Sequence, residues 1–229
     1  MLSEVMAPFL ALVVDGAGRH HRAAGPVRGA GPLMERGKPL MSMTRETDVV
    51  GVLMHDHREV EEMFTELEAL GAGDTERRRE LTEKVITELV RHAVAEEAYL
   101  YPAVRDLIPG GDALADRELA EHAEAEETMK ELERTDVSEA RHGILLNRLM
   151  TEVRAHVQEE ENVLFPTLRE HADESKLAEL GHKIQAIKKI APTRPHPMAP
   201  DTPPGNMVMG PLAGLVDRMR DAITGRGKD

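Results

Sequence analysis

The sequence predicts an all-α protein: an up-down-up-down four-helix bundle made of two pseudo-repeated helical hairpins, with an additional C-terminal helix and disordered tails. Three observations predict it. Apolar residues recur at helical spacing through four long stretches. The breaks between the first and second stretch, and between the third and fourth, are short, which favours antiparallel neighbours. The two halves also repeat. A shift of 65 carries His57, Glu59, Glu61, Glu62, Glu66 and Leu67 onto His122, Glu124, Glu126, Glu127, Glu131 and Leu132. A shift of 64 carries His92, Glu96, Glu97, Leu100 and Pro102 onto His156, Glu160, Glu161, Leu164 and Pro166. Two like hairpins pack with approximate twofold symmetry and place equivalent residues around one axis.

The first helix is expected from Thr47 to Leu70, capped by Thr47 or Asp48 and stopped by Gly71 and Gly73. Its inward stripe reads Val50, Leu53, His57, Val60 or Glu61, Phe64 and Leu67. The second starts at Asp74 and runs to about Tyr101, with Val85, Leu89, His92, Glu96 and Tyr99 or Leu100 facing in. Pro102 withholds an amide and should kink or end it. A short added turn over Ala103–Ile108 precedes the break at Pro109-Gly110-Gly111. The third helix spans about Asp112–Arg134, with Ala115, Leu119, His122, Glu126 or Ala125, Met129 and Leu132 inward. The fourth spans about Glu139–Arg169, with Leu145, Leu149, Val153, His156, Glu160 and Val163 or Leu164 inward, and Pro166 late. A fifth helix follows over Asp173–Ile190, with Leu177, Leu180, Ile184 and Ile187 as its apolar stripe, packing outside the bundle or at one end.

This gives three regions. Residues 1–42, rich in Gly and Pro, read as a disordered extension, with translation starting at Met41 or Met43 as a sharper alternative. Residues 43–190 hold the bundle and fifth helix. Residues 191–229 read as a Pro-rich linker followed by a short C-terminal amphipathic segment, which is either a short helix or a peptide that docks on a protein partner. The chain opens Met-Leu-Ser-Glu, without the basic start of a secretory signal, so a cytoplasmic location is expected.

Composition narrows the function. There is no cysteine among the 229 residues, which removes disulfides, thiolate metal sites and thiol catalysis together. The net charge of −13 disfavours nucleic acid, whose binding needs cationic surface, and anionic membrane alike. No apolar run approaches the roughly 20 residues of a membrane span.

His57, His92, His122 and His156 each sit on an apolar stripe, one per helix. Glu96 and Glu160 follow His92 and His156 by one helical turn, on the same face. A lone His with an acid four residues on is usually an exposed ion pair. His55 and Glu59 make such a pair, and His55 cannot share His57's face. Four buried imidazoles with two buried carboxylates are different. They are unfavourable by several kcal/mol unless something satisfies them. A structural polar network is the modest answer and a pair of metal ions the stronger one. Nitrogen and oxygen donors suit iron, manganese or zinc. Four His and two Glu fit two ions bridged by both carboxylates, with an oxo or hydroxo bridge leaving positions open for dioxygen, peroxide, nitric oxide or azide. Glu61 and Glu126, one turn after His57 and His122, read as extra ligands, as acceptors for an imidazole N–H, or as solvated charges. Tyr99 is placed near the site, with a packed core tyrosine as the simpler reading. Tyr101 and Phe165 read as matching aromatic plugs at one end.

The pattern His57, His92-x-x-x-Glu96, His122, His156-x-x-x-Glu160 resembles the hemerythrin-like, HHE cation-binding family over about residues 46–170. The resemblance implies a non-haem di-iron centre in a four-helix bundle. Oxygen-carrying hemerythrins use five histidines. No fifth inward histidine is evident here, since His142, His171 and His182 lie near helix ends or outside the repeat. The pattern is closer to bacterial hemerythrin-like proteins tied to iron binding, peroxide or nitric-oxide responses and iron–sulfur repair. The repair proteins carry a cysteine-bearing N-terminal domain, and this chain has no cysteine. The function expected is binding or turnover of a small oxidant. The alternatives are iron storage or delivery without catalysis and, in another class, a metal-free helical interaction module.

Overall fold

The computed structural model describes residues 46–71 and 73–195. The expected N-terminal extension and C-terminal amphipathic segment lie outside these residues. Among the described residues, from Val49 on, seven α-helical segments follow one another: α1 (Val49–Ala69), α2 (Thr75–Ala95), α3 (Tyr101–Leu107), α4 (Gly111–Arg134), α5 (Ala140–Glu159), α6 (Phe165–His171) and α7 (Glu174–Lys188). Two π-helical turns, π1 (Glu96–Leu100) and π2 (Glu160–Leu164), join α2 to α3 and α5 to α6 without a break. The bundle therefore consists of α1, α2–π1–α3, α4 and α5–π2–α6, with α7 laid against α1 and α2. No helix of the described residues is long and apolar enough to cross a membrane.

Local chemistry sets the ends. The Asp48 carboxylate caps α1 by accepting from Gly51 N at 2.8 Å. It also takes both Arg169 guanidinium nitrogens, at 2.8 and 3.0 Å, which ties α6 to the start of α1. Gly110 adopts φ 79°, the left-handed turn that re-aims the chain into α4.

Each of the two prolines explains a π turn. Pro102 and Pro166 occupy the first turn of α3 and α6. A proline deep in an α-helix lacks its N–H and clashes with the carbonyl four residues back. Here the ladder widens just before it. Tyr101 N–H bonds Glu96 O, and Phe165 N–H bonds Glu160 O, five residues back in both cases. The prolines end neither helix; each helix absorbs one as a bulge and runs on for another seven residues.

Burial resolves the open choices in the inward stripes. Val60 is 4% exposed and faces in, whereas Glu61 is exposed; Leu164 is fully buried, whereas Val163 is 42% exposed. The core has two parts. One gathers Leu53, Leu100, Val104, Leu164 and Leu168 with Leu180 and Ile184 of α7. The other gathers Phe64, Leu67, Val85, Ile86, Met129, Leu145 and Leu149. The candidate ligands lie in the layer between them.

The fifth helix is more than an outer cover. A Cβ at Gly181 would lie 2.4 Å from Thr47 O, so α7 presses on the entry to α1 where only glycine fits. Gly181→Ala should shift α7 off α1 and lower stability by about 1–3 kcal/mol, read by thermal unfolding. The start of the expected linker also behaves otherwise. Ala191, Pro192, Thr193 and Pro195 are buried, Thr87 Oγ1 donates to Thr193 O at 3.4 Å, and Arg194 pairs with Glu133 at 3.3 Å. Residues 191–195 thus form a strap on the bundle. Proline suits such a strap, because it gives up no helix hydrogen bond and buries a ring.

Candidate metal centre

Helical spacing puts His57 in the middle of α1, His122 in the middle of α4, and His92-Glu96 and His156-Glu160 at the junctions where α2 and α5 pass into their π turns. All six side chains converge. Glu96 Oε1 lies 3.1 Å from His92 Nε2 and its Oε2 lies 3.4 Å from His122 Nε2. Glu160 Oε2 lies 3.3 Å from His57 Nε2 and 3.7 Å from His156 Nε2. Each carboxylate therefore stands between a histidine of one hairpin and a histidine of the other. His57, His92, Glu96 and Glu160 form one compact donor group, and Glu96, His122 and His156 a second that shares Glu96.

The outward nitrogens are equally ordered. His57 Nδ1 meets Glu161 at 2.9 Å, and His122 Nδ1 meets Glu97 at 3.1 Å. His92 Nδ1 meets Asp56 at 3.2 Å, and His156 Nδ1 meets Glu121 at 3.0 Å. An ionised carboxylate only accepts, so each Nδ1 carries a proton, and each Nε2 faces the centre, where the neutral ring offers a lone pair. These four partners obey the repeat: Asp56 corresponds to Glu121 and Glu97 to Glu161. Sequence reasoning missed them as partners, although a signal existed. An acid precedes both lone histidines, and a second Glu follows both inward glutamates. Their cross-helix targets depend on packing and are not written in helical periodicity.

Tyr101 enters the centre and Tyr99 does not. The Tyr101 hydroxyl lies 3.0 Å from His122 Nε2 and 3.5 Å from both Glu96 Oε2 and Glu160 Oε1. Tyr99 is half-buried with the Lys183 ammonium 5.8 Å over its ring. The π turn is the reason. In an unbroken α-helix Tyr101 would sit about 140° around from Glu96, whereas Tyr99 would come closer to its face. The widened turn brings positions five apart into register. Phe165, the repeat counterpart of Tyr101, stacks on the His57 ring at 5.8 Å with planes 10° apart. The two aromatics are thus site walls rather than end plugs, and one of them carries a hydroxyl.

Glu61 turns away from the site and accepts from Arg154 at 2.7 and 2.9 Å, because Val60 takes the inward position beneath His57. Glu126, half-buried, belongs to none of the donor groups. His142 is buried at the start of α5, well outside those groups, and His171 and His182 are exposed. A further acid not foreseen, Glu118, is fully buried with Oε2 3.1 Å from His156 Nδ1.

Electrostatics reinforce the arrangement. Burial alone lowers an imidazole, but Glu96 and Asp56 outweigh it and raise His92 to about 10. Against the same burial, Glu96 and Glu97 raise His122 to about 10, and Glu160, Glu118 and Glu121 raise His156 to about 10. Burial raises a carboxyl, yet His92 and His122 hold Glu96 well below its usual range. Burial, then the charges of Glu96 and Glu160, push Tyr101 well above the usual 10, so its hydroxyl stays protonated.

The donor set fits metal cations. His57 Nε2, Glu96 Oε1 and Glu160 Oε2 are buried without a hydrogen-bond partner, all aimed at the same centre. Nitrogen and oxygen donors in this mix suit iron, manganese or zinc. A cavity of about 50 Å³ adjoins the histidines on the side of Val60, Leu89, Met129 and Val153.

Comparison with known proteins points to a cation-binding family. Residues 48–168 match the hemerythrin HHE cation binding domain. An uncharacterized hemerythrin-like protein of Schizosaccharomyces pombe is 28% identical over 182 residues, covering 79% of this chain and 87% of that one. A protein of a Nostoc species named as a DNA nickase is 27% identical over 145 residues; this chain spans only 40% of its length. The crystal structure of an HHE cation-binding domain-containing protein from Mycobacterium kansasii superposes with a TM-score of 0.55 at 26% identity, covering 62% of this chain and 85% of that one. The chain belongs to the hemerythrin-like, HHE cation-binding domain family.

Proposed function

We propose that the protein is a non-haem di-iron protein that binds or reacts with a small oxidant: dioxygen, peroxide or nitric oxide. The observation that carries this reading is the convergence of four imidazole Nε2 atoms on two fully buried carboxylates, with His57 Nε2, Glu96 Oε1 and Glu160 Oε2 all lacking a hydrogen-bond partner. His57, His92, His122 and His156 would hold the ions, with Glu96 and Glu160 between them. An iron pair supplies reversible redox change and open positions for a small exogenous ligand.

The residues of the chain do the rest. Asp56, Glu97, Glu121 and Glu161 fix the tautomer and aim of each imidazole, an outer layer whose loss typically weakens metal affinity or activity by about 10–100-fold. Tyr101 holds a proton at its hydroxyl, between the two carboxylates and His122, where an incoming anionic or dipolar ligand could accept it. Size supports a small ligand. The adjoining cavity of about 50 Å³ has room for only a few water-sized atoms and is walled by Val60, Leu89, Met129 and Val153. Apolar walls favour uncharged diatomic molecules.

Iron analysis of the purified protein, with spectra before and after peroxide, tests the reading. Two iron per chain and a near-ultraviolet oxo-to-iron band that changes on adding peroxide are expected. Rapid surrender of iron to a mild chelator, with no spectral response to oxidant, would mark a delivery protein instead. Protein that binds no metal would leave a helical interaction module.

A further inference from the structure

The two hairpins repeat, so most charges around the centre come in matched pairs. Asp56 is balanced by Glu121, and Glu97 by Glu161. Among the described residues, two charges in direct contact with a site histidine or its carboxylate partner have no counterpart. The first is Glu118, fully buried beside His156, where the other hairpin has the apolar Leu53. The second is Lys188, from the end of α7. Its ammonium lies 2.6 Å from Asp56 Oδ1, while Asp56 Oδ2 takes His92 Nδ1 at 3.2 Å. The fifth helix lies outside the repeat and packs on α1 and α2, so this cation serves one half alone.

We propose that these unmatched charges make the two cation positions unequal. Glu118 makes the position at His122 and His156 the tighter, first-filled one. Lys188 makes the position at His57 and His92 the weaker, labile one. This rests on the paired-cation reading above.

The physics has the same sign at both ends. Glu118 adds a buried anion next to His156, and a cation is drawn toward that side. Its Oε2 shares the His156 Nδ1–H with Glu121, at 3.1 and 3.0 Å, and its Oε1 has no hydrogen-bond partner. Arg117 approaches Glu118 only to 3.8 Å, is half exposed, and spends its closer contact on Glu159. Its charge is therefore largely screened. On the other side, Lys188 shares the Asp56 carboxylate with His92. A carboxylate already bound to an ammonium is a weaker acceptor, so the His92 ring becomes a poorer donor at Nε2. The ammonium also repels a cation directly. The hydroxyl of Tyr101, the other unmatched group, is neutral and does not offset either charge.

Anaerobic titration of the metal-free full chain with cobalt(II) tests this, together with anomalous diffraction from crystals loaded with one equivalent. The expected isotherm has two steps separated by at least about tenfold in affinity, the lower end of what such outer groups usually contribute. At one equivalent the anomalous signal should sit at His122 and His156. Glu118→Gln should weaken the tighter step about tenfold and leave the other in place. Lys188→Met should strengthen the weaker step, whereas Lys188→Arg, which keeps the charge, should not. Equal steps in the unsubstituted protein, or signal at His57 and His92 first, would overturn the inference while leaving paired binding intact. So would a Lys188→Arg protein that behaves like Lys188→Met. Failure to bind any cobalt would instead overturn the paired-cation reading itself.

Discussion

Glu96→Gln should leave the helices in place and empty the paired site. Glutamine keeps the volume of the fully buried side chain but removes its charge and turns one acceptor oxygen into an N–H donor. Both oxygens of Glu96 are committed, one toward His92 and one toward His122, so the loss reaches both halves at once. The fall in affinity should exceed the about 100-fold upper range for an outer hydrogen-bond partner. Circular dichroism should report unchanged helicity while iron content collapses and the near-ultraviolet band disappears. Glu160→Gln should do the same, because its Oε2 stands between His57 and His156. His122→Ala should spare the other ion position. Glu61→Gln is the control: an exposed carboxylate paired with Arg154 should keep both ions and the spectrum. If Glu61→Gln emptied the site while Glu96→Gln stayed loaded, the ligand assignment would be wrong.

Removing the metal should lower the melting temperature and expose a pH dependence of defined sign. Ions that bind only the folded site add their binding energy to folding. Without them, His92, His122 and His156 are raised to about 10 by surrounding carboxylates, against about 6.5 in the unfolded chain. The folded protein then binds more protons than the unfolded one between those values, so stability falls as pH rises. The contribution is full below about 6.5 and is lost as pH climbs through about 10. At the acid end Glu96 has the opposite shift, and its contribution is lost as pH falls below about 4.5. The metal-free protein should therefore be most stable between about pH 4.5 and 6.5, with a fall on the order of 10 °C by pH 9.5. Metal loading demands neutral imidazoles, so it should release protons at pH 7.5 and tighten as pH rises. Calorimetric melts of both forms, and proton release measured in weak buffer, check this. A metal-free form as stable as the loaded one, with no pH slope, would favour a self-sufficient polar network.

Some of the site was plain in the sequence because it depends only on helix geometry. His92-x-x-x-Glu96 and His156-x-x-x-Glu160 share a face in any helix, and burial of that face follows from the leucines and valines around it. Repetition of the pattern in two halves then implied four helices, one centre and six donors. The bundle and the family were legible on the same grounds. Glu61 and Glu126 were suspected by the same rule, which cannot say whether the i+3 or the i+4 residue faces in. Packing decided that, by placing Val60 inward and giving Glu61 to Arg154 across the groove.

The remainder belonged to tertiary structure. The choice of Tyr101 over Tyr99 turned on a π bulge, a change of period that residue spacing read at 3.6 per turn cannot reveal, although Pro102 marks its cause. The carboxylates behind each imidazole lie on neighbouring helices, up to 104 residues away for His57 and Glu161, and chain distance carries no information about such contacts. Glu118 reads in sequence as one more acid on a charged helix; only the closed bundle shows it buried at the place of Leu53. Lys188 reads as a solvated end of the fifth helix, and only the docking of α7 carries it to Asp56. Periodicity along one helix determines which face is buried. Which partners meet across that face depends on how separate helices are pressed together.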